Sequence, residues 1–248
     1  MGELGYQLKG GRCHLDPDLR AETQPRIKGW RGLFGQVGAA ASHLDNQDVG
    51  VGDLFLFFGL YRHTVLSDGK LRFKGPALHC LYGYLEVEMI IPIDEEAPDW
   101  AAGHPHLAER YKDTNSRLYV ARERLSFAHR LPGFGSFGFD EALQLTAAGG
   151  GGLTDWLLDE SFSPGSGGAL SYHNDKDRWG AVEDGKVSLQ AVARGQEFVA
   201  QGEAAYRWAQ QLVCDHTIEV GLPDQTTDRA KTAADHNLDL GYQGMDLD

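Results

Sequence analysis

The apolar run Leu54-Phe55-Leu56-Phe57-Phe58 is the strongest hydrophobic pattern in the chain. It follows a glycine-aspartate turn at Gly50-Val51-Gly52-Asp53 and ends at Gly59. A strand with one solvated face alternates apolar and polar residues, so this unbroken run predicts a central strand that is buried on both faces. Leu60-Tyr61-Arg62-His63 follows and forms either an ordinary loop or the mouth of a pocket.

Weaker patterns on both sides predict a sheet of at least five strands with several helices. Asp68-Gly69 between two apolar segments is typical of a β-hairpin. The partly alternating residues 78–91 stop at Pro92 and predict a strand that pairs with the central one. Further strands are predicted over residues 118–121 and 143–146, and helices over residues 39–44, 104–111, 153–158, 189–199 and 204–213.

The length of 248 residues and the hydrophobic content of 42% suit one globular domain. We expect it over residues 30–223, after an irregular arm of residues 1–29 that is rich in Gly, Pro and charge. Apolar residues become sparse from Asp224 onward, which predicts a disordered acidic tail over residues 224–248. The net charge of −13 excludes a protein that coats DNA, so any contact with nucleic acid must be local.

Cysteine usage and the start of the chain indicate a cytoplasmic protein. Three cysteines without a C-x-x-C pair do not form a disulfide framework, and no charged and apolar leader opens the chain. The chain also has no apolar run of about 18 residues, so we expect no membrane segment.

Potential metal ligands occur in four short groups: Cys13-His14, His79-Cys80, His104-Pro105-His106 and Cys214-Asp215-His216. Structural zinc sites normally use two pairs of the C-x(2–4)-C or H-x(3–5)-H type, and this chain has neither. We therefore expect no metal and no other cofactor. If a metal were bound, His104 and His106 would be the best candidates, although an H-P-H turn also suits a helix start.

Two segments near the C-terminus concentrate chemically active side chains. Ser171, His173 and Glu197 are the residue types of a hydrolase, but no G-x-S-x-G elbow positions the serine. Ser171-Tyr172-His173 with Arg178-Trp179 suits either the recognition of a planar polar ligand or a surface loop with the indole packed inward. Gly195, in Arg194-Gly195-Gln196-Glu197, allows close approach of either a ligand or a neighbouring helix.

Several segments together resemble the third of the nucleotide-modification-associated domain families, which are bacterial and phage proteins. The similar segments are His14-Leu15-Asp16-Pro17-Asp18-Leu19, residues 33–40, Asn46-Gln47, residues 51–59, Tyr82-Gly83-Tyr84-Leu85, His104-Pro105-His106, Ser171-Tyr172-His173, Arg178-Trp179 and residues 194–198. The resemblance covers residues 14 to about 213, and we expect this chain to lack a strand-and-loop segment that precedes Asp16 in the family.

A more distant resemblance concerns the fold. The glycine-aspartate turn that leads into a hydrophobic strand, and the later strand with Gly83 and Val87, are similar to the PUA-like barrels of the EVE and YTH readers of modified bases. This resemblance implies an α+β domain built on a PUA-like, partly open β-barrel with flanking helices.

The two resemblances imply binding of a modified nucleobase, a nucleotide or a short single-stranded nucleic acid, in a DNA-modification or defence context. The implied ligand-binding residues are Gln36, Asn46, Gln47, Phe58, Tyr61, His104, Ser171, Tyr172, His173, Arg178, Trp179 and Arg194. A second hypothesis is an enzyme that modifies a base or nucleotide, with His173 and Glu197 as acid/base residues. A third is an interaction module without a ligand.

The polar candidates give one geometric prediction. Buried polar groups are costly unless they pair with each other or with a ligand. We therefore expect one pocket, at the end of the central strand, to contain the following residues: His104, Ser171, His173, Arg178, Arg194 and Glu197.

Overall fold

The computed structural model describes residues 14–92, 95–107, 115–166, 169–192 and 197–217. The strands are β1 (Leu33–Val37), β2 (Leu54–Ser67), β3 (Lys70–Pro92), β4 (Ser116–Ala121), β5 (Phe134–Ser136), β6 (Asp155–Asp159), β7 (Ala169–Leu170), β8 (Trp179–Glu183), β9 (Lys186–Gln190) and β10 (Ala200–Gln201). The α-helices are α1 (Gly38–Asn46) and α2 (Glu203–His216). Among the helices of these ranges, none has the length and apolar character that a membrane crossing requires.

The main sheet is antiparallel and has the order β1-β4-β3-β2, with β5 as a further partner of β3. Three further strands form a second sheet in the order β6-β9-β8, and β7 pairs with β10. The fold is therefore α+β, as expected. No pairing joins β1 to β2 in the described residues, so the sheet is not a closed barrel and the PUA-like architecture is not confirmed.

Apolar side chains form separate clusters on the two faces of the β1–β4 ladder. Phe34 of β1 and Tyr119 of β4 belong to the cluster on one face, whereas Leu33 and Val120 belong to the cluster on the other. This alternation follows from the two-residue period of a strand. A third cluster unites the main sheet, the second sheet and α2, and it includes Trp156.

Strand β2 begins within the predicted apolar run, but it lies at the edge of the main sheet. The prediction of a central, buried strand is therefore wrong: of residues 54–58 only Phe57 is buried, and Val51 is exposed in the preceding turn. Both faces of β2 nevertheless contact apolar side chains: Phe57 is buried in the cluster of Phe34, and Phe58 packs against the cluster of Trp156. Two covered faces explain the unbroken apolar run, while the outer backbone edge of β2 pairs with no strand in the described ranges.

The outer part of the β2–β3 hairpin, residues 60–77, projects into solvent. Between residues 60 and 76 all residues except Ser67 and Leu71 are exposed. The turn uses Asp68 and Gly69, both with positive φ, as the predicted hairpin requires. We call residues 60–77 the outer hairpin.

Other local predictions have mixed outcomes. Strand β4, helix α1 and helix α2 confirm the predictions over residues 118–121, 39–44 and 204–213. Two helices were predicted wrongly, because residues 155–159 form β6 and residues 189–190 end β9. Residues 104–107 contain a 3₁₀ turn instead of the start of an α-helix, and residues 143–146 contain no strand. The predicted acidic tail and the first 13 residues of the predicted arm lie outside the described residues.

Candidate functional site

A cavity of about 940 Å³ lies between the outer edge of β2 and the stretch that leads into α2. Aromatic rings form much of its wall: Phe34, Phe55, Phe58, Tyr82, Trp156 and Phe198. The rings come from both sides of the sheet edge, because successive side chains of β2 point to opposite faces. The cavity therefore combines an open strand edge with flat apolar walls.

A hydrogen-bonded amide and carboxylate face this cavity. Gln36 Nε2 donates to Glu197 Oε1 at 2.6 Å, and both residues line the cavity. Gln36 lies on β1, two residues after Phe34, so it shares the face of that aromatic side chain. The pair places hydrogen-bond donors and acceptors beside apolar rings.

His79 adds a polar group to the cavity wall, although the sequence pattern indicated it only as a possible metal ligand. Its Nδ1 accepts a hydrogen bond from Trp156 Nε1 at 3.0 Å, and the neutral ring therefore carries its proton on Nε2. Burial lowers the pKa of His79 below its ordinary value of 6.5. His79 is thus a neutral hydrogen-bond donor in this wall.

Ser171 and Tyr172 lie at a smaller cavity that adjoins the first. Its volume is about 310 Å³, and Gln47 and Gln201 line both cavities. Ser171 Oγ accepts a hydrogen bond from the Val199 backbone N–H at 2.8 Å and lies 3.1 Å from His43 Nε2. The Tyr172 ring stacks on His43 with a centroid distance of 4.3 Å. The histidine partner of Ser171 is thus His43, which the sequence pattern did not indicate.

His173 occupies a different environment, because its imidazole is buried and bound to the backbone. Nδ1 lies 2.9 Å from the Ser171 carbonyl oxygen, and Nε2 accepts from the Val192 N–H at 3.2 Å. Burial lowers the pKa of His173 below 6.5, so the neutral ring is favoured. Both nitrogens therefore hold the turn that carries Ser171 and Tyr172.

Trp179 supports the same turn from the outside, whereas the neighbouring Arg178 contacts strand β9. Trp179 Nε1 donates to the carbonyl oxygen of His173 at 2.8 Å, and Arg178 Nη1 donates to the carbonyl oxygen of Gln190 at 3.1 Å. The Trp179 ring packs against the cluster around Trp156. These two side chains contact the protein backbone, not the larger cavity.

A second polar cluster surrounds the carboxylate of Asp16. His106 Nε2 lies 3.0 Å and His14 Nε2 lies 3.9 Å from Asp16 Oδ2, and His104 Nε2 lies 3.3 Å from Oδ1. Gly35 donates its N–H to Oδ1 at 2.9 Å. Burial opposes ionisation, but the hydrogen bonds from His104, His106 and Gly35 prevail and lower the pKa of Asp16 from 3.8 to about 2.

Gly35 allows this cluster to form. A Cβ atom on Gly35 would collide with the ring of His106, so only glycine leaves room for the imidazole. One ligand atom each from His14, Asp16 and His106 lies within 4.8 Å of the other two. These three residue types can hold a transition metal. The imidazole of His106 lies against β1 at Gly35, whereas the next residue, Gln36, faces the cavity.

The structure places the predicted site residues in several separate locations. Gln36, Gln47, Phe58 and Glu197 line the large cavity, and Ser171 and Tyr172 lie beside it. His173 and Trp179 hold the adjoining turn, Arg178 contacts Gln190 of β9, and His104 contacts Asp16. Asn46 and Tyr61 are exposed outside the cavity, and Arg194 lies outside the described residues. The expected convergence of these polar residues in one pocket is therefore wrong for His104, His173 and Arg178.

Comparison with known proteins gives one match. No curated protein matches the sequence, and no solved structure matches the fold. Residues 3–201 match the family described as nucleotide modification associated domain 3. This match spans most of the 248 residues and extends to both sides of the aromatic cavity. The chain belongs to the nucleotide modification associated domain 3 family.

Proposed function

We propose that the protein binds a modified nucleobase or nucleotide in the aromatic cavity. The observation that supports this function best is the placement of the Gln36–Glu197 pair beside the rings of Phe34 and Phe198. Proteins recognise an extruded base by stacking on apolar rings and by hydrogen bonds to its polar edge. This wall offers both kinds of contact.

The size of the cavity and the charge of the protein favour a compact ligand. Small-molecule sites commonly have volumes of about 300–1,000 Å³, and this cavity has about 940 Å³. With a net charge of −13, the protein as a whole repels the phosphates of a long nucleic acid. A nucleoside, a nucleotide or one base of a strand meets both conditions.

The Gln36–Glu197 hydrogen bond gives the cavity a way to select the ligand. The amide and the carboxylate satisfy each other at 2.6 Å in this structure. A base edge that presents both a donor and an acceptor can replace this bond with two of its own, whereas a purely apolar ring cannot. We therefore expect Gln36 and Glu197 to discriminate among base modifications that alter the hydrogen-bonding edge.

A second candidate function is an enzyme that modifies the bound base or nucleotide. The Glu197 carboxylate faces the cavity, and the Ser171 hydroxyl lies 3.1 Å from His43 beside it. A carboxylate can transfer protons, and a hydroxyl paired with an imidazole can act as a nucleophile. His173 is the weaker acid/base candidate, because both of its ring nitrogens contact the backbone.

Calorimetry against a panel of modified nucleosides, nucleotides and short single strands tests the proposal. We expect at least one ligand to bind, and Gln36→Ala to weaken its binding about tenfold through loss of one hydrogen bond. Gln211→Ala is the matched control, since Gln211 Nε2 donates to Asp215 Oδ1 at 2.8 Å in an exposed pair outside the cavity. Equal affinities of the two variants, or no binding by the wild type, would contradict the proposal.

Mass analysis of each ligand after incubation separates the two candidate functions. An unchanged mass with measurable affinity supports a binding protein. A changed mass supports an enzyme, and in that case Glu197→Gln and Ser171→Ala identify which group takes part. Loss of turnover with Glu197→Gln but not with Ser171→Ala would assign the proton transfer to the carboxylate.

A further inference from the structure

We propose that His14, Asp16 and His106 bind a divalent transition-metal ion of the zinc or ferrous class. The site lies at Gly35 of β1, away from the Gln36 side chain that faces the cavity. It is therefore distinct from the proposed base site, and neither proposal depends on the other.

The distances among the ligand atoms fit one ion. Nitrogen and oxygen ligands lie about 2.0–2.2 Å from such a metal, so adjacent ligands are about 3.0–3.5 Å apart. Asp16 Oδ2 lies 3.0 Å from His106 Nε2 and 3.9 Å from His14 Nε2. All three ligand atoms lie within 4.8 Å of one another, so side-chain adjustment would bring them to coordination distance.

The other oxygen of Asp16 is already held by protein donors. Gly35 donates its N–H to Oδ1 at 2.9 Å, and His104 Nε2 lies 3.3 Å from the same atom. His104 Nδ1 accepts the backbone N–H of His106 at 3.3 Å, which assigns the ring proton to Nε2, the nitrogen that lies near Oδ1. His104 thus acts as a positioning residue that leaves Oδ2 for the metal, as supporting partners of metal ligands commonly do.

Among the residues that the structure describes, the three ligands leave one side of the proposed ion open. The side chain of His14 is 34% exposed, whereas those of Asp16 and His106 are 9% and 8% exposed. Three protein ligands with one side open to solvent leave a position for water or substrate. Two imidazoles and one carboxylate suit zinc or ferrous iron, whereas magnesium and calcium prefer oxygen ligands alone.

The full chain, purified without a histidine tag and treated with chelator, provides the test. We expect titration with Co²⁺, followed by its visible absorption, and with Zn²⁺, followed by calorimetry, to show one bound ion per chain. His14→Ala and His106→Ala should each weaken binding beyond about 100-fold. His14→Ala is the critical variant, because its partly exposed ring can be removed with little effect on the melting temperature.

Matched variants distinguish this site from other histidines. His129→Ala removes an exposed histidine, His216→Ala disrupts Cys214-Asp215-His216, and both should bind cobalt as the wild type does. His104→Ala should weaken binding about 10- to 100-fold and alter the cobalt spectrum, and His104→Gln should restore part of the affinity. Absence of stoichiometric binding, or equal binding by His14→Ala and His129→Ala, would overturn the proposal.

A different observation supports a second inference: we propose that the outer hairpin inserts into the major groove of duplex DNA. Its register places Lys70 opposite Ser67 and Arg72 opposite Val65 on one face, and Lys74 follows Phe73 where the register shifts. The opposite face carries Leu66 and Phe73, both exposed.

Charge and shape favour this partner. The outer hairpin has four basic residues and one acidic residue in a chain of net charge −13. Phosphates attract such a local basic row, and the B-form major groove admits a two-stranded ribbon, whereas that of A-form RNA is too narrow. A two-stranded hairpin is marginally stable alone in water, so a partner that covers it would also stabilise it.

Fluorescence anisotropy with a labelled duplex, its single strand and the matching RNA duplex tests this inference. Replacing Lys70, Arg72 and Lys74 by alanine should weaken duplex DNA binding at least tenfold and reduce its salt dependence. Replacing the exposed Lys28, Lys176 and Lys186 makes the same charge change elsewhere and should have less effect. Equal losses of DNA affinity in the two triple variants would overturn the proposal. Stronger binding to RNA or to single strands, or a dimer that depends on the hairpin without any DNA binding, would also overturn it.

Discussion

The buried histidines of this protein occupy two contrasting environments. His173 has backbone partners at both ring nitrogens, a carbonyl oxygen at 2.9 Å and an N–H at 3.2 Å. His104 and His106 instead direct Nε2 toward one carboxylate, that of Asp16. Residue type and burial are the same in both places, and the partner makes the difference. A backbone partner fixes the ring in a structural role, whereas imidazoles around one carboxylate are the residue types of a metal site.

Removal of the Asp16 carboxylate should have the largest effect. We expect Asp16→Ala to lower the free energy of unfolding by about 3 kcal/mol, because several buried donors lose a shared acceptor. Asp45→Ala is the control, since Asp45 pairs with Arg117 at 3.1 Å in a partly exposed position and should contribute less than about 1 kcal/mol. Urea unfolding measures the free energy of unfolding of both variants. Equal losses for Asp16→Ala and Asp45→Ala would contradict a special role of the buried Asp16 carboxylate.

The loss of stability at low pH should depend on the same carboxylate, that of Asp16. The folded-state pKa of Asp16 is about 2, below its ordinary value of 3.8. The stabilisation is therefore fully present above about pH 4 and is lost as the pH falls through 2, with a total of about 2 kcal/mol. We expect this loss in the wild type and not in Asp16→Asn. Parallel acid unfolding curves for the two proteins would contradict the depressed pKa.

His173→Ala should affect the stability of the fold more than ligand binding. Two backbone groups lose their partner, and we expect the free energy of unfolding to fall by about 2 kcal/mol. His173→Asn can keep the donor to the Ser171 carbonyl oxygen and should recover part of this loss. Because burial lowers the pKa of His173 below 6.5, its contribution should decline as the pH falls below that value. Thermal melts at several pH values test these statements, and an unchanged melting temperature would assign His173 to the ligand instead.

Arg178→Ala should have the smallest effect. Its guanidinium donates to the Gln190 carbonyl oxygen in an exposed position, so we expect a change below about 0.5 kcal/mol. A thermal melt beside that of His173→Ala compares an exposed backbone contact with a buried one. If Arg178→Ala alone abolished ligand binding, Arg178 would belong to the site despite its backbone contact.

Local signals in the sequence predicted local structure well. The Asp68-Gly69 turn and helix α1 depend on neighbouring residues, and both were predicted correctly. Strand β6 was predicted as a helix, because its five residues follow a glycine-rich segment and leave too few positions to distinguish the two periods. The edge position of β2 depends on apolar clusters contributed by distant segments, so the apolar run alone did not reveal it.

The candidate sites also depend on contacts between distant segments, which local sequence patterns do not reveal. The resemblance indicated Gln36 and Glu197, but not that they form a pair, since they are far apart in the sequence. The Asp16 cluster joins an H-x-D segment before β1 to an H-x-H segment after β3. Within each segment the two ligand residues are too close together for a structural zinc motif. A possible ligand set therefore forms only through the tertiary fold.

Strand β1 makes the two proposed sites sensitive to insertion or deletion. Gly35 contacts the ring of His106, and the adjacent Gln36 faces Glu197, so a single backbone step separates the two sites. A one-residue slip of β1 against β4 would reverse every side chain of the strand. Depending on the direction of the slip, Gln36 or Phe34 would then meet the His106 ring, and the cavity would lose its amide. The pairing of Gly35 with Leu118 therefore fixes the register on which both sites depend. A variant that shifts this register should lose base binding and metal binding together.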